Sequence, residues 1–374
     1  MKAVGIILAG GSSSRMGALA DKRAVAAMPV AGSFRCIDFA LSSLSNSHCQ
    51  RVAVCTQFNA RSLNQHLNSS KWWDFGRKQG GLYLLTPTVT ADNDSWYRGT
   101  ADSMYQNIGF LRECHEPYVI ISSGDCVYKT DFNRILDYHI AKSADITIAV
   151  TTLSPSQEDA TRFGVVTRDE DGRVTDFEEK PEKTDKTLIN AGIYIIRRRV
   201  LIEMLDRANR EKTYDFVRGI LMKYKDEKKI YAYDLPGYWN NIATVDSYYR
   251  TNMDFLKKDV AQYFFSGYNE IYTKAEDEPP AKYNPDASVS NSLIASGCII
   301  SGTVENSILS RKVYVSRGCV IRNSVILNDV YIGENTVIEN CIVESRGTLR
   351  PNKRYAGSPG HARVVVEDNE RYLI

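Results

Sequence analysis

Long apolar runs are missing from this 374-residue chain. The first candidate, Val4–Ala9, falls far short of the roughly twenty residues that cross a bilayer, and it lacks the flanks and cleavage pattern of a secretory leader. No membrane partner is expected, and the expected compartment is the cytoplasm. Excess charge of one sign is missing too, since 47 Lys and Arg balance 45 Asp and Glu. With no long basic stripe, nucleic acid is a poor partner. The eight cysteines contain no C-x-x-C pair and the five histidines no H-E-x-x-H spacing. The sequence therefore offers neither a redox pair nor a His/Cys metal site, and the thiols are expected reduced and packed as small apolar groups.

What is present alternates. Short apolar runs at Val4–Leu8, Val52–Thr56, Tyr118–Ser122 and Ile146–Thr151 read as buried strands of a mostly parallel sheet. Helix-like segments lie between them at Asp38–Asn46, Arg61–Leu67, Thr100–Glu113 and Phe132–Lys142. Gly164–Lys180 reads as a hairpin turning at Asp171-Gly172, followed by helical Val200–Asn209 and Phe216–Tyr224; Tyr231–Trp239 then leads to a helix near Asp246–Leu256. This alternation implies a doubly wound α/β domain over 1–257, with ligands at the carboxyl ends of its strands. Residues 258–285 are charged, contain Pro279-Pro280 and suit a linker. Residues 286–374 are repetitive. Asn291-Ser-Leu-Ile, Asn306-Ser-Ile-Leu, Asn323-Ser-Val-Ile and Asn340-Cys-Ile-Val recur at intervals of 15, 17 and 17 residues, with aliphatic residues returning three times per repeat. That period predicts a left-handed parallel β-helix of about four coils, whose ends need capping or pairing.

Two loops at strand ends carry the first candidates. Gly10, Gly11 and Ser12 let backbone N–H groups approach phosphate oxygens, and Arg15 adds positive charge. Asp125, in Ser123-Gly124-Asp125, is placed either to hold Mg²⁺ against nucleotide phosphates or to cap a turn. In Glu179-Lys180-Pro181 the lysine, held extended before proline, suits either a sugar-phosphate contact or a solvated loop. Tyr97-Arg98-Gly99-Thr100 opens a helix whose backbone donors can read a base or phosphate; the alternative is capping by Thr100. Trp72-Trp73 beside Arg77-Lys78 reads as a loop with core anchors rather than a nucleic-acid platform.

Several motifs form one set: LAGG at the start, Lys22-Arg23, Phe34-Arg-Cys-Ile-Asp-Phe-Ala-Leu-Ser, Thr56-Gln57, Trp96-Tyr-Arg-Gly-Thr-Ala-Asp, Ser123-Gly-Asp, Glu179-Lys-Pro, Gly192-Ile-Tyr and Tyr238-Trp. Together they resemble the ADP-glucose pyrophosphorylases (glucose-1-phosphate adenylyltransferases) of bacterial glycogen synthesis over nearly the whole chain. The resemblance implies the reaction ATP + glucose 1-phosphate → ADP-glucose + pyrophosphate, Mg²⁺ as cofactor and a tetrameric assembly. It also implies roles: Arg15 for the leaving pyrophosphate, Asp125 for Mg²⁺, Glu179, Lys180 and Asp215 for the sugar phosphate, Gly10, Gly11, Ser12, Tyr97, Gly99 and Thr100 for the nucleotide, and Lys22 for an effector such as a sugar phosphate.

The departures from that family are concentrated where the chemistry is. Ser13-Ser14 stands for Gly-Thr, Val25 for the lysine ten residues after Arg15, and Ala26 for the proline that follows. Asn241 stands for the second metal-binding aspartate, and Cys126 for a histidine. Losing a cation and an anionic Mg²⁺ ligand costs roughly 2–4 kcal/mol each of transition-state stabilisation, about three orders of magnitude together. This pattern is similar to the non-catalytic D-type subunit that certain Gram-positive bacteria pair with a catalytic C-type subunit. Two readings follow: a regulatory subunit with weak or no turnover, or an active Mg-dependent pyrophosphorylase with a rearranged site. A hexapeptide acyltransferase is a distant third, because residues 291–349 contain no histidine.

Overall fold

The computed structural model describes residues 1–11, 13–76, 80–90, 95–153 and 159–367. They divide into two compact units. The first comprises Met1–Gly11, Ala40–Ala60 and Ser69–Trp239; the second comprises Ser12–Phe39, Arg61–Asn68 and Asn240–Ile374.

In the first unit, nine strands of the described residues form one sheet. They are β1 (Ala3–Leu8), β2 (Arg51–Cys55), β3 (Gly81–Leu85), β4 (Tyr118–Ser123), β5 (Ile146–Thr152), β6 (Gly164–Arg168), β7 (Val174–Glu179), β8 (Leu188–Arg197) and β9 (Ile230–Asp234). The order is β7-β6-β8-β4-β1-β2-β3, and β8 also pairs with β5, which pairs with β9. The pairs β1–β2, β1–β4, β2–β3 and β5–β9 are parallel. Antiparallel β8 joins β4, β5 and β6. The central strands are apolar on both faces because helices cover them; Val4, Ile7, Val52, Val54, Val119 and Ile121 are all fully buried.

The β6–β7 hairpin turns where Asp171-Gly172 predicted. Asp169 Oδ1 accepts the N–H groups of Asp171 and Arg173 at 3.0 and 2.8 Å, and Gly172 takes φ +85°, a conformation that needs no Cβ. The helix expected over Thr100–Glu113 is instead two helices, Thr100–Gln106 and Ile108–Glu113. Asn107 breaks it, because its amide donates to Ser103 O and to Tyr97 Oη, both at 2.8 Å. The expected helix Phe216–Tyr224 is a π-helical turn, Val217–Leu221, with Met222 N bonded to Val217 O. The stretch Tyr231–Trp239 holds most of one strand, which ends at Asp234, and the start of a short one, Trp239–Asn241. Trp73 is fully buried, as a core anchor should be, whereas Arg77 and Lys78 lie outside the described residues.

In the second unit the repeats build a left-handed parallel β-helix. Three five-stranded parallel sheets form its faces, one more rung than the repeats predicted. Ile300, Val315, Ile332 and Leu349 point inward from one face, Val304, Ile321 and Ile338 from the second, and Leu309, Ile326 and Val343 from the third; all are fully buried. At the corners the repeated asparagines explain themselves. Asn291, Asn306, Asn323 and Asn340 take φ of +40°, +47°, +45° and +51°, a left-handed conformation that asparagine tolerates. Their amides ladder between coils, Asn291 Nδ2 to Asn306 Oδ1 at 2.8 Å and Asn306 Nδ2 to Asn323 Oδ1 at 2.5 Å. The serines beside them form a second ladder, as Ser292, Ser307 and Ser324 hydroxyls accept the N–H groups of Ser307, Ser324 and Cys341 at 3.1 Å.

The non-repeat parts of this unit pack onto the β-helix. Arg23 pairs with Glu344 at 2.5 Å, and Tyr249 Oη donates to Asn323 O at 2.6 Å. Residues 258–285 contain helix Lys258–Phe265 and then a stretch whose Glu276 and Glu278 pair with Arg311 and Lys312. Within Phe34–Ser42, buried Asp38 accepts from Arg35 N at 2.8 Å and contacts His66 Nε2 at 2.7 Å. All eight cysteines are buried and none is in a disulfide. Among the described residues, no helix is long and apolar enough to cross a membrane.

Candidate nucleotide and sugar-phosphate site

In the first unit Gly10, Gly11 and Asp125 follow the carboxyl ends of β1 and β4. Gly124 N donates to Leu8 O at 2.9 Å and Ala9 N to Cys55 O at 2.9 Å, so the loops leaving β1, β2 and β4 are laced together. Gly10 stands against Gln57, in the loop after β2. Gln57 in turn clamps Tyr97 by both backbone groups: Tyr97 N donates to Gln57 Oε1 at 2.6 Å and Gln57 Nε2 donates to Tyr97 O at 3.2 Å. Burial pushes the Tyr97 phenol up to about 12, against the hydrogen bond from Asn107. Ser12 lies outside the described residues.

Asp125 is half-buried. Its Oδ1 accepts from Ser123 Oγ at 2.5 Å and lies 3.5 Å from Cys126 Sγ. The described residues contain no group of three His, Cys, Asp or Glu side chains placed to hold a metal. A single carboxylate still suits Mg²⁺, which keeps waters and takes substrate phosphates as its other ligands.

Glu179 and Lys180 follow β7. Lys180 Nζ lies 3.3 Å from Glu179 Oε1. The extended backbone expected before Pro181 is not found. Lys180 adopts φ +52° while its N–H bonds Phe163 O at 3.1 Å, which turns the chain sharply out of the hairpin. A non-glycine residue in that region stores about 1–3 kcal/mol of strain. Tyr194, on β8, links this corner to the others. Its phenol is pushed well above its ordinary value, first by complete burial and then by the charges of Glu179 and Asp215 and the neighbouring Cys126 thiol. Next to it β8 bulges: Asn190 Oδ1 accepts Gly192 N at 3.0 Å, and Ala191 O accepts Trp239 Nε1 at 3.0 Å.

Asp215 is exposed and its Oδ1 accepts Arg218 N at 2.8 Å, capping the π-helical turn. Its loop is bound to the start of helix Thr100–Gln106. Of the backbone donors at this helix start, which could read a base or phosphate, the N–H groups of Ala101 and Asp102 donate to Tyr214 O, at 2.8 and 3.2 Å. Thr100 is not the N-cap. Gly99 is, and Thr100 Oγ1 accepts Phe216 N at 2.9 Å. Gly99 is needed for the close approach, since a Cβ there would stand 2.4 Å from Tyr214 O.

In the second unit Arg15 and Lys22 are exposed and Val25 is buried. Val25 opens a helical turn, Val25–Ala27, among Ala24, Ala26, Ala27 and Met28, all buried and none charged. Ser13 Oγ donates to Ala243 O at 2.7 Å, and Asn241 Oδ1 accepts Ala243 N at 3.0 Å, so both substituted segments meet at Ala243. Sequence reasoning missed Tyr194 and the partnership of Arg98, Asp102 and Tyr214. For Arg98 and Tyr214 the signal was available only as charge next to aromatic in two separate motifs, Tyr97-Arg98 and Tyr214-Asp215; Tyr194 has no charged neighbour in sequence.

Residues 4–258 match the family described as Nucleotidyl transferase, and residues 279–357 match the GlmU-like C-terminal hexapeptide family. A nucleotidyl transferase domain followed by a hexapeptide β-helix is therefore the class. Among similar proteins, glucose-1-phosphate adenylyltransferase of Thermosipho melanesiensis is 40% identical over 318 residues, covering 84% of this chain and 76% of its own. The proteins of the same name from Geobacillus stearothermophilus and Clostridium perfringens are 37% and 39% identical, over 85% and 84% of this chain and 82% and 80% of theirs. The chain belongs to the glucose-1-phosphate adenylyltransferase family.

Proposed function

We propose that this chain is a regulatory subunit of a glucose-1-phosphate adenylyltransferase, with weak or no turnover of its own, acting in glycogen synthesis beside a catalytic subunit in a hetero-oligomer. The observation that carries the reading is Val25. The position ten residues after Arg15 holds an apolar side chain, 7% exposed, in a turn without charge. Its neighbours Ala24, Ala26, Ala27 and Met28 carry no charge, and the Arg35 guanidinium that reaches this turn donates to Ala27 O at 2.7 Å. Asn241 supports the same reading, since its carbonyl oxygen accepts a backbone N–H and carries no anionic charge for Mg²⁺.

The retained frame binds rather than reacts. Gly10, Gly11, Tyr97, Gly99 and Thr100 are the candidates for the nucleotide, and Arg15 is the candidate for the pyrophosphate. Glu179, Lys180 and Asp215 lie on the sugar-phosphate side, and Lys22 is an effector contact. Asp125 is the residue that would hold Mg²⁺, which supplies charge neutralisation between phosphates. Adenylyl transfer depends on orientation and electrostatics, so a frame lacking one cation and one anion keeps affinity and loses rate. The test mixes the purified chain with a catalytic relative and measures ADP-glucose formation. The proposal expects little product from the chain alone and a changed rate or substrate response of the partner. Full family-level turnover by the isolated chain would sink it.

The second reading, a fully active enzyme, is favoured by the retention of Arg15, Asp125 and Lys180. It expects Asp125→Ala to abolish turnover in the isolated chain; turnover that survives the change counts against it.

A further inference from the structure

Arg98 does not face a ligand. Each of its three guanidinium nitrogens is engaged within the first unit. Nη2 and Nε bind Asp102 Oδ1 and Oδ2 at 2.8 and 3.3 Å, and Nη1 donates to Tyr214 Oη at 2.8 Å. The guanidinium carbon lies 3.9 Å from the Tyr214 ring centroid. Asp102 is 2% exposed and would be an uncompensated buried charge without this fork. It accepts further from Arg98 N and Gln106 Nε2, each at 2.9 Å. A phosphate could draw Arg98 away only by leaving Asp102 buried and underpaired.

The far end of this network is the loop that carries Asp215. Tyr214 gives its ring and hydroxyl to Arg98 and its carbonyl to the N–H groups of Ala101 and Asp102. Phe216 N is held by Thr100 Oγ1, and Gly99 lets the two chains touch. Asp215 therefore sits between two residues fixed to the same helix start, and Arg98 closes that clamp from outside.

We propose that Arg98 is a positioning residue for the sugar-phosphate side of the site, acting through Tyr214 to set where Asp215 stands, and not a ligand for the nucleotide. The proposal rests on the reading that this chain binds glucose 1-phosphate. A misplaced Asp215 loop then costs sugar-phosphate affinity ahead of ATP affinity.

The experiment uses the full chain with Arg98→Gln, which removes charge at similar length, and Tyr214→Phe, which removes one hydrogen bond and keeps the ring. Calorimetry gives separate dissociation constants for glucose 1-phosphate and ATP, and hydrogen exchange reads the amides of Ala101, Asp102 and Phe216. For Arg98→Gln we expect glucose 1-phosphate binding weakened about ten- to a hundredfold, ATP binding weakened less and faster exchange at all three amides. Tyr214→Phe is expected to shift the same readouts less. Loss of ATP affinity ahead of glucose 1-phosphate affinity, or unchanged exchange in both variants, overturns the proposal. If the unsubstituted chain binds no glucose 1-phosphate, the ligand reading fails, while exchange at Phe216 still decides the clamp. If Arg98→Gln fails to fold, Tyr214→Phe decides by the same readouts.

Discussion

His139 stands in the core of the first unit, 1% exposed, with Nδ1 2.8 Å from Thr147 Oγ1 and Nε2 buried without a partner. Only a neutral ring fits that environment. Burial, with the nearby Arg197 charge, pushes its pKa down to about 4 from 6.5, against the weaker pull of Asp145. Because the unfolded chain takes up the proton first, stability is lost as pH falls from about 6.5 towards about 4, to a total of about 3 kcal/mol. Urea unfolding at neutral pH and near pH 4.5 should show this slope, and His139→Gln should flatten it. An equal slope in both proteins would assign the acid sensitivity elsewhere. The same rule, that buried polar groups must be paired or neutral, explains why Asp102 holds Arg98 and why Val25 sits comfortably in an apolar turn.

Periodicity made the elements legible where one face of one element decides. The strands near Val4, Val52, Tyr118 and Ile146 stand within a residue of their expected bounds, and the helix Arg61–Leu67 is matched at both ends. The repeat of Asn-Ser with two aliphatics exposed the β-helix, because each coil reuses the same corner. Elements set by distant partners were not legible. β8 reads as one apolar run, and only its pairing with β4, β5 and β6 makes it the antiparallel centre of the sheet. The break at Asn107 depends on Tyr97, and the turn at Lys180 depends on Phe163. Gly10, Gly11 and Asp125 were legible as strand-end loops. The use of the Ala101 and Asp102 amides was not, since the carbonyl that takes them belongs to Tyr214. At a corner of the β-helix, Asn323→Ala should cost about 1–3 kcal/mol, from left-handed backbone strain plus the lost ladder bond to Asn306, and Asn323→Gly should cost less. Urea midpoints of the two variants check the order; equal costs would mean that the hydrogen bond alone matters.

For the whole molecule, the question is which properties of the family this chain keeps. It keeps the nucleotidyl transferase sheet, the loops at its strand ends and the β-helix. The proposed difference is one of charge at two positions, Val25 and Asn241, where the resemblance to the family implies a lysine and an aspartate. A frame with intact packing and missing charges is recoverable by restoring the charges, whereas a frame reshaped for another role is not. The decisive measurement is the steady-state rate of ADP-glucose formation, with Mg²⁺, ATP and glucose 1-phosphate, by the isolated chain and by its Val25→Lys, Asn241→Asp double variant. The account predicts a slow or undetectable rate for the chain and a gain on the order of a hundredfold or more for the double variant. A fast rate without the substitutions, or no gain with both in a folded protein, would contradict it.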